Sequence, residues 1–187
     1  MIASPEAYCY LLAVEIRIHF VREGTVFVLM RAVTYAALFV GLLLVYLPAR
    51  LLSRSGIARP ESIELTQIAG ILVGCAGAAI ALWCILSFAF IGKGTPAPFD
   101  PPRRLVTQGP YRFVRNPMYV GAGSALVGAA IYFQSLPLCG FAAAFFLATH
   151  LFVLIYEEPT LRRSFGPEYE AYCGRVRRWW PGANPRQ

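Results

Sequence analysis

Four long apolar runs, separated by short polar or basic segments, restrict this chain to one class of structure. The runs lie at residues 32–52, 68–91, 117–133 and 136–156. A helix of roughly twenty residues, at about 1.5 Å per residue, crosses the hydrocarbon core of a bilayer. Hydrophobic residues make up 57% of the 187 residues, which is high for a soluble domain. The sequence therefore predicts an all-α, polytopic helical membrane protein, a single membrane domain with about four transmembrane helices.

The charged residues are sparse and lie mostly between the runs, which decides how the net charge of +7 is interpreted. Lys and Arg collect on the cytoplasmic side of membrane proteins and contact anionic lipid headgroups. No folded basic module remains between the runs to carry nucleic acid. The five cysteines are scattered and lack metal-ligand spacing. We expect membrane lipids as partners, with no nucleic acid, no disulfide framework and no metal.

The polar segments differ in their expected roles. Residues 92–116 form the longest connection, which is strongly basic and proline-rich in its first half, and a long loop in a small protein is usually functional. The tail, residues 157–187, is amphipathic, and Gly166-Pro167 could split it into two helices. Because the loop and the tail are basic, we expect both of them, and the active site, on the cytoplasmic side of the membrane. In a bacterial source this would be the inner membrane. In residues 1–30 the apolar pieces are too often interrupted by polar residues for a membrane span. This segment is interpreted either as a helix on the membrane surface or as preceding a natural start at Met30.

A helix is expected to begin where the loop meets the third run. Asn116 is a favourable N-cap and Pro117 a favourable first helical residue. The free N–H groups and positive dipole end of such a helix attract an anion. Arg112 and Arg115 lie just before it. The sequence therefore predicts an anion site at the edge of the membrane.

Two carboxylates are expected near this helix start. The third and fourth runs are joined by almost no loop, so they form an antiparallel hairpin. Counting outward from the turn places Glu157, with Glu158 next to it, about one turn, roughly 5 Å, beyond the level of the helix start. His150 lies within the fourth run, where an ionisable side chain usually faces an interior or a cavity. Each residue also has an ordinary explanation as a helix end or a headgroup contact, but together they predict a pocket for a zwitterion.

Two segments carry a resemblance to a known family. GPYRFVRNPMYVG, followed about two helices later by EEPTLRRSFGPEYEAYCGRV, closely resembles the isoprenylcysteine carboxyl methyltransferase family, which is related to the membrane phospholipid methyltransferases. The resemblance covers about residues 93–181. It implies an integral membrane enzyme that transfers a methyl group from S-adenosylmethionine to a lipophilic acceptor, of isoprenylcysteine type.

The resemblance also implies the site residues. It places S-adenosylmethionine against the end of the loop, the helix start, a Gly-x-Gly and the first glutamate, that is Arg103, Arg104, Leu105, Val106, Tyr111, Asn116, Pro117, Met118, Tyr119, Gly121, Gly123 and Glu157. The tyrosines suit the adenine or the sulfonium, and the glutamate suits the ammonium or the ribose hydroxyls. We expect Arg115, His150 and Glu158 to be catalytic; with an amine acceptor, either of the last two would take its proton.

Some positions depart from the family pattern and leave the acceptor open. Eukaryotic members that resemble this chain carry an Arg where Val153 stands and a His where Asn116 stands, and they have more spans. A phospholipid or amine N-methyltransferase is the alternative enzyme. A small transporter or a non-catalytic membrane protein are the alternatives from other classes, although no carboxylate lies in the middle of a span to couple protons.

Overall fold

The computed structural model describes residues 37–57, 59–87 and 104–182, together with Met30 and Thr34. Within these residues the protein is helical and has no strand, which confirms the predicted all-α class. In chain order the elements are a π-helical segment Val40–Tyr46 that continues into α1 (Leu47–Arg54), α2 (Leu65–Ser87), a 3₁₀ turn (Gly109–Arg112), α3 (Pro117–Tyr132), α4 (Leu136–Phe152), a π turn (Val153–Glu157), α5 (Glu158–Phe165) and α6 (Pro167–Arg175).

Three continuous helical segments are long and apolar enough to cross a membrane, namely Ala37–Arg54, Leu65–Ser87 and Leu136–Phe165. The helix from the third run, α3, is apolar but only 16 residues long. At about 1.5 Å per residue it reaches roughly 24 Å, which is shorter than the hydrocarbon core. The protein is therefore an integral membrane protein with three helices able to span a membrane in the described chain, and a fourth span stays a prediction. Residues 1–29 and 88–103 lie outside the described residues.

The helix of the fourth run continues past Glu157-Glu158-Pro159, where the apolar run itself ends, and the predicted span boundary at residue 156 stays a prediction. The helix passes through the π turn into α5 and ends at Phe165. Glu158 N–H donates to Val153 O, five residues back, and Pro159 occupies the first turn of α5. Proline lacks an N–H, and the wider π turn gives its ring room that a regular turn does not.

The predicted split of the tail at Gly166-Pro167 is confirmed. Gly166 has a φ of 47°, which ends α5, and Pro167 begins α6. Glycine takes this left-handed backbone without strain, and proline suits the first helical position. The tail therefore turns back toward the rest of the protein.

Glycines allow α2 and α3 to pack with their backbones in contact. A Cβ on Gly77 would lie 2.5 Å from Gly121 O, and a Cβ on Gly70 would lie 2.8 Å from Gly128 O. Gly70 and Gly77 therefore lie on a small-residue face of α2. In a bilayer, such close approach gives the dispersion contacts that replace the hydrophobic effect between helices.

The α3–α4 hairpin supplies the other packing layer. Its turn contains Gln134 at a φ of 48°, and Ser135 caps α4 by accepting a hydrogen bond from Leu138 N at 3.3 Å. The core between the helices consists of small and large side chains in alternation, Ala122, Leu126, Ala142 and Phe145. Together these two packings hold the start of α3 against the outer end of α4.

We expect Gly128→Ala to lower the free energy of unfolding by about 2 kcal/mol or more, because the new methyl group would meet backbone that cannot retreat. Its Cβ would lie 2.5 Å from Gly74 Cα and 2.7 Å from Gly70 O. Gly140→Ala in α4 is the matched control, since its Cβ would have no neighbour within 4 Å. Unfolding in detergent measures both; equal stability of the two variants would contradict the packing.

Candidate functional site

The site is built where three segments meet, the residues before α3, the outer end of the α4–α5 helix, and the chain after α6. Backbone hydrogen bonds join the residues before α3 to the chain after α6. Arg115 N–H donates to Arg177 O at 2.9 Å, and Asn116 N–H donates to Arg178 O at 3.3 Å. The segment that leads into α3 is therefore covered by the tail.

Asn116 holds the N-cap position and Pro117 the first helical position, as predicted. The amide side chain of Asn116, however, makes no capping bond; its Nδ2 donates to Arg178 O at 3.3 Å. Both residues are buried. The side chain therefore secures the tail rather than the first turn of α3.

Glu158 is the centre of a buried ion-pair cluster. Its two oxygens accept hydrogen bonds from Arg178 Nε at 2.6 Å and Nη2 at 2.9 Å, and Arg115 Nη1 lies 3.3 Å from Oε1. Only 6% of Glu158 is exposed. Planar guanidinium and carboxylate groups that meet through two bonds form one of the stronger and more directional pairings in proteins. Arg115, which the sequence places near the two carboxylates, is thus a partner of Glu158 together with Arg178.

Glu157, the adjacent carboxylate, has a different environment. It is half-buried, and its Oε2 accepts a hydrogen bond from the Tyr119 hydroxyl at 3.1 Å. Among the described residues no basic side chain pairs with it. The structure thus brings together Glu157 and Tyr119, two of the residues expected to bind a cofactor, and no cation from the described part of the chain pairs with this carboxylate.

Other predicted residues surround the 3₁₀ turn. Tyr111 and Val106 are buried against Cys84 of α2, with Met118 packed against this cluster. Tyr111 O accepts a hydrogen bond from the Tyr172 hydroxyl at 2.6 Å. Burial raises the pKa of Tyr111 well above its usual value, so its hydroxyl stays protonated. The turn is therefore fastened to α2 on one side and to α6 on the other.

The remaining predicted residues are more scattered. His150 accepts a hydrogen bond at Nδ1 from Trp179 Nε1 at 3.1 Å. Arg112 lies over the Phe113 ring at 4.5 Å, Leu105 packs on the cluster of α6, and Arg104 is exposed. Arg103 lies outside the described residues. Arg115 therefore contacts Glu158, whereas Arg112 contacts neither glutamate among the described residues.

Gly121 and Gly123 both lie against other helices. A Cβ on Gly121 would lie 2.7 Å from Gly77 O, and at Gly123 the space is filled by the ring of Phe146 from α4. The need for glycine at these two positions is thus explained by packing, and a cofactor contact at either stays a prediction.

Sequence reasoning missed the residues that the tail contributes, chiefly Arg178, Trp179 and Tyr172. Arg178 and Trp179 lie beyond α6, which ends at Arg175. The described residues contain no group of three or more His, Cys, Asp or Glu side chains that could hold a metal ion.

Comparison with known proteins identifies the family. The family model described as phospholipid methyltransferase matches residues 65–168, more than half of the chain. The chain therefore belongs to the phospholipid methyltransferase family, a family of membrane methyltransferases that covers the resemblance seen in its sequence.

One curated relative is the nickel-cobalt-cadmium resistance protein NccN of Alcaligenes xylosoxydans xylosoxydans, with 31% identity over 113 residues. The match covers 58% of this chain and 48% of the relative, so the chain spans about half the length of that protein. No solved structure matches the chain significantly.

We expect Tyr172→Phe to lower the free energy of unfolding by about 1–2 kcal/mol, since it leaves the buried Tyr111 carbonyl without its donor. Burial raises the pKa of Tyr172, so its hydroxyl remains a donor across the accessible pH range. Tyr132→Phe is the control, because the Tyr132 hydroxyl has no hydrogen-bond partner among the described residues. Denaturant unfolding in detergent compares the two, and an equal loss in both would contradict the assigned bond.

Proposed function

We propose that this protein is a membrane methyltransferase that uses S-adenosylmethionine and acts on a lipophilic acceptor. The observation that carries the proposal is the contrast between the two adjacent glutamates. Glu158 is neutralised by two arginines, whereas Glu157 is hydrogen-bonded only to an uncharged hydroxyl in the described part of the chain. A partly buried carboxylate without a counter-ion favours a cationic ligand.

The donor set fits S-adenosylmethionine, which carries an ammonium, a sulfonium and a carboxylate. Glu157 would accept hydrogen bonds from the ammonium or the ribose hydroxyls of the ligand. Tyr119 would hold the Glu157 side chain in place. The first turn of α3 would bind the carboxylate of S-adenosylmethionine, because the free N–H groups of this turn favour an anion. Tyr111, fastened at its backbone, would support the adenine.

The chemistry needs few groups from the protein. Bound S-adenosylmethionine supplies a methyl group that is activated by the sulfonium. The chain's own residues then contribute position and the exclusion of water. Tyr119 orients Glu157, and the tail covers the segment before α3. The acceptor enters sideways from the bilayer, and the basic segments favour an active site at the cytoplasmic surface.

The class of acceptor is the finer part of the proposal. The sequence predicts a carboxylate of isoprenylcysteine type, which is already ionised and needs no base. An amine, as in a phospholipid headgroup, is the second candidate. Val153 supports it: this residue stands where related enzymes carry an Arg for the acceptor carboxylate, and it is fully buried with an exposure of 0%. A valine there offers no charge to an anionic acceptor.

We expect the purified protein in detergent to bind S-adenosylmethionine saturably, measured by calorimetry. Glu157→Gln should weaken binding by about 100-fold or more, through loss of a charged contact. Tyr119→Phe should weaken it by about tenfold, since it only releases the carboxylate. Glu168→Gln, an exposed carboxylate of α6, is the control. Absence of binding to folded wild-type protein would remove the enzyme function and favour the transporter or scaffold.

The acceptor is distinguished by the fate of a labelled methyl group. Vesicles that contain either an aminophospholipid or a prenylcysteine analogue would be incubated with the protein and labelled S-adenosylmethionine. We expect the label in base-stable N-methyl lipid if the acceptor is an amine. Label as a base-labile methyl ester on the prenylcysteine analogue would instead establish the carboxylate.

A further inference from the structure

We propose that Glu158 is a positioning residue. It clamps residues 176–179, the part of the tail that follows α6, over the start of α3 and does not itself contact the ligand. The role differs from the catalytic one expected from the sequence. The positioning role rests on the proposed function, because the site that is positioned is the one formed by Glu157 and Tyr119. The clamp itself rests only on contacts within the protein.

The first observation is that the carboxylate of Glu158 is already occupied. Arg178 binds both oxygens, Arg115 approaches one of them, and only 6% of the residue is exposed. A general base needs a free lone pair that faces the proton it accepts. Glu158 therefore lacks the geometry of a base, but has that of an anchor.

The second observation is the π turn, which brings two residues of one helix to the same segment of the tail. In a regular helix, residues eight positions apart differ in direction by about 80°. The π turn, with its bond from Glu158 N–H to Val153 O, takes up part of this angle because it rotates less per residue. Consecutive tail residues then reach both positions: Arg178 binds Glu158 and Trp179 binds His150.

The third observation is what the clamped tail covers. Its carbonyls at Arg177 and Arg178 accept the backbone N–H groups of Arg115 and Asn116. Val176, with an exposure of 8%, packs in the cluster formed by Tyr169, Tyr172 and Cys173. The clamp therefore fixes the two residues that immediately precede Pro117, and with them the position of the first turn of α3.

Three consequences follow for a protein without the clamp. Arg115 and Arg178 would face each other without their shared anion, so the tail would be repelled from the helix end. The amides of Arg115 and Asn116 would lose their acceptors. Tyr119, in the first turn of α3, would no longer be held opposite Glu157. Ligand binding would weaken although Glu157 itself is unchanged.

Amide hydrogen exchange of the full chain in detergent tests the clamp without any ligand. In Glu158→Gln we expect the peptide that covers residues 111–116 to exchange about tenfold faster or more, because the tail opens locally. Glu170→Gln is the matched control, since it removes a carboxylate from an exposed pair with Arg162 at 3.4 Å. Unchanged exchange in Glu158→Gln would overturn the proposal.

A double-mutant cycle on S-adenosylmethionine affinity tests the positioning role. If Glu158 acts through Arg178, the variants Glu158→Gln and Arg178→Gln each weaken binding, and their combination falls short of the product of the two effects by about tenfold or more. Multiplicative effects would show that Glu158 acts independently of Arg178 and would overturn the proposal. Glu157→Gln should weaken binding by about 100-fold or more, with the exchange at residues 111–116 unaltered.

The two hypotheses can fail separately. If wild-type protein binds no S-adenosylmethionine but Glu158→Gln still accelerates exchange, the proposed function is wrong and the clamp is confirmed. If wild-type protein binds and Glu158→Gln alters neither exchange nor affinity, the function stands and the clamp is overturned. Thermal unfolding of each variant separates a local opening from a general loss of folding.

Discussion

A buried carboxylate has to be neutralised, and this requirement organises the outer end of the protein. Glu158 lies on the helix that continues from α4, and its partners come from two other parts of the chain, Arg115 before α3 and Arg178 after α6. Because removal from water makes an unpaired charge costly, the three segments are stable only together. The start of α3 is thereby given a fixed position.

The pairing of Glu158 also explains why its neighbour differs so much from it. The two glutamates are adjacent, but the helix directs Glu158 toward the tail and Glu157 toward Tyr119. One carboxylate stabilises the structure, and the other is left with a neutral partner. The same helix end therefore provides both an anchor and a position suited to a cation, and the family membership gives that position a chemical context.

Several features could be predicted from the sequence because they depend on local or periodic patterns. The apolar runs, the small-residue face of α2 and the break at Gly166-Pro167 all follow from composition, spacing and backbone preferences. The continuation of the helix beyond residue 156 could not be predicted, because a proline after two charges usually ends a helix. Here a π turn accommodates Pro159, and such a turn has no clear signal in a single sequence.

The sequence by itself determined the helical membrane class, the segment that starts α3 and the residues worth examining, since hydrophobicity and capping act within one stretch of chain. Only the tertiary structure decided which of those residues contact one another. It assigned Arg115 to Glu158 and Tyr119 to Glu157, placed Phe146 against Gly123, and brought Arg178 from the tail to the helix end. These pairings join residues distant in sequence, and their partners are chosen by distance and burial, which a pattern along one chain does not encode.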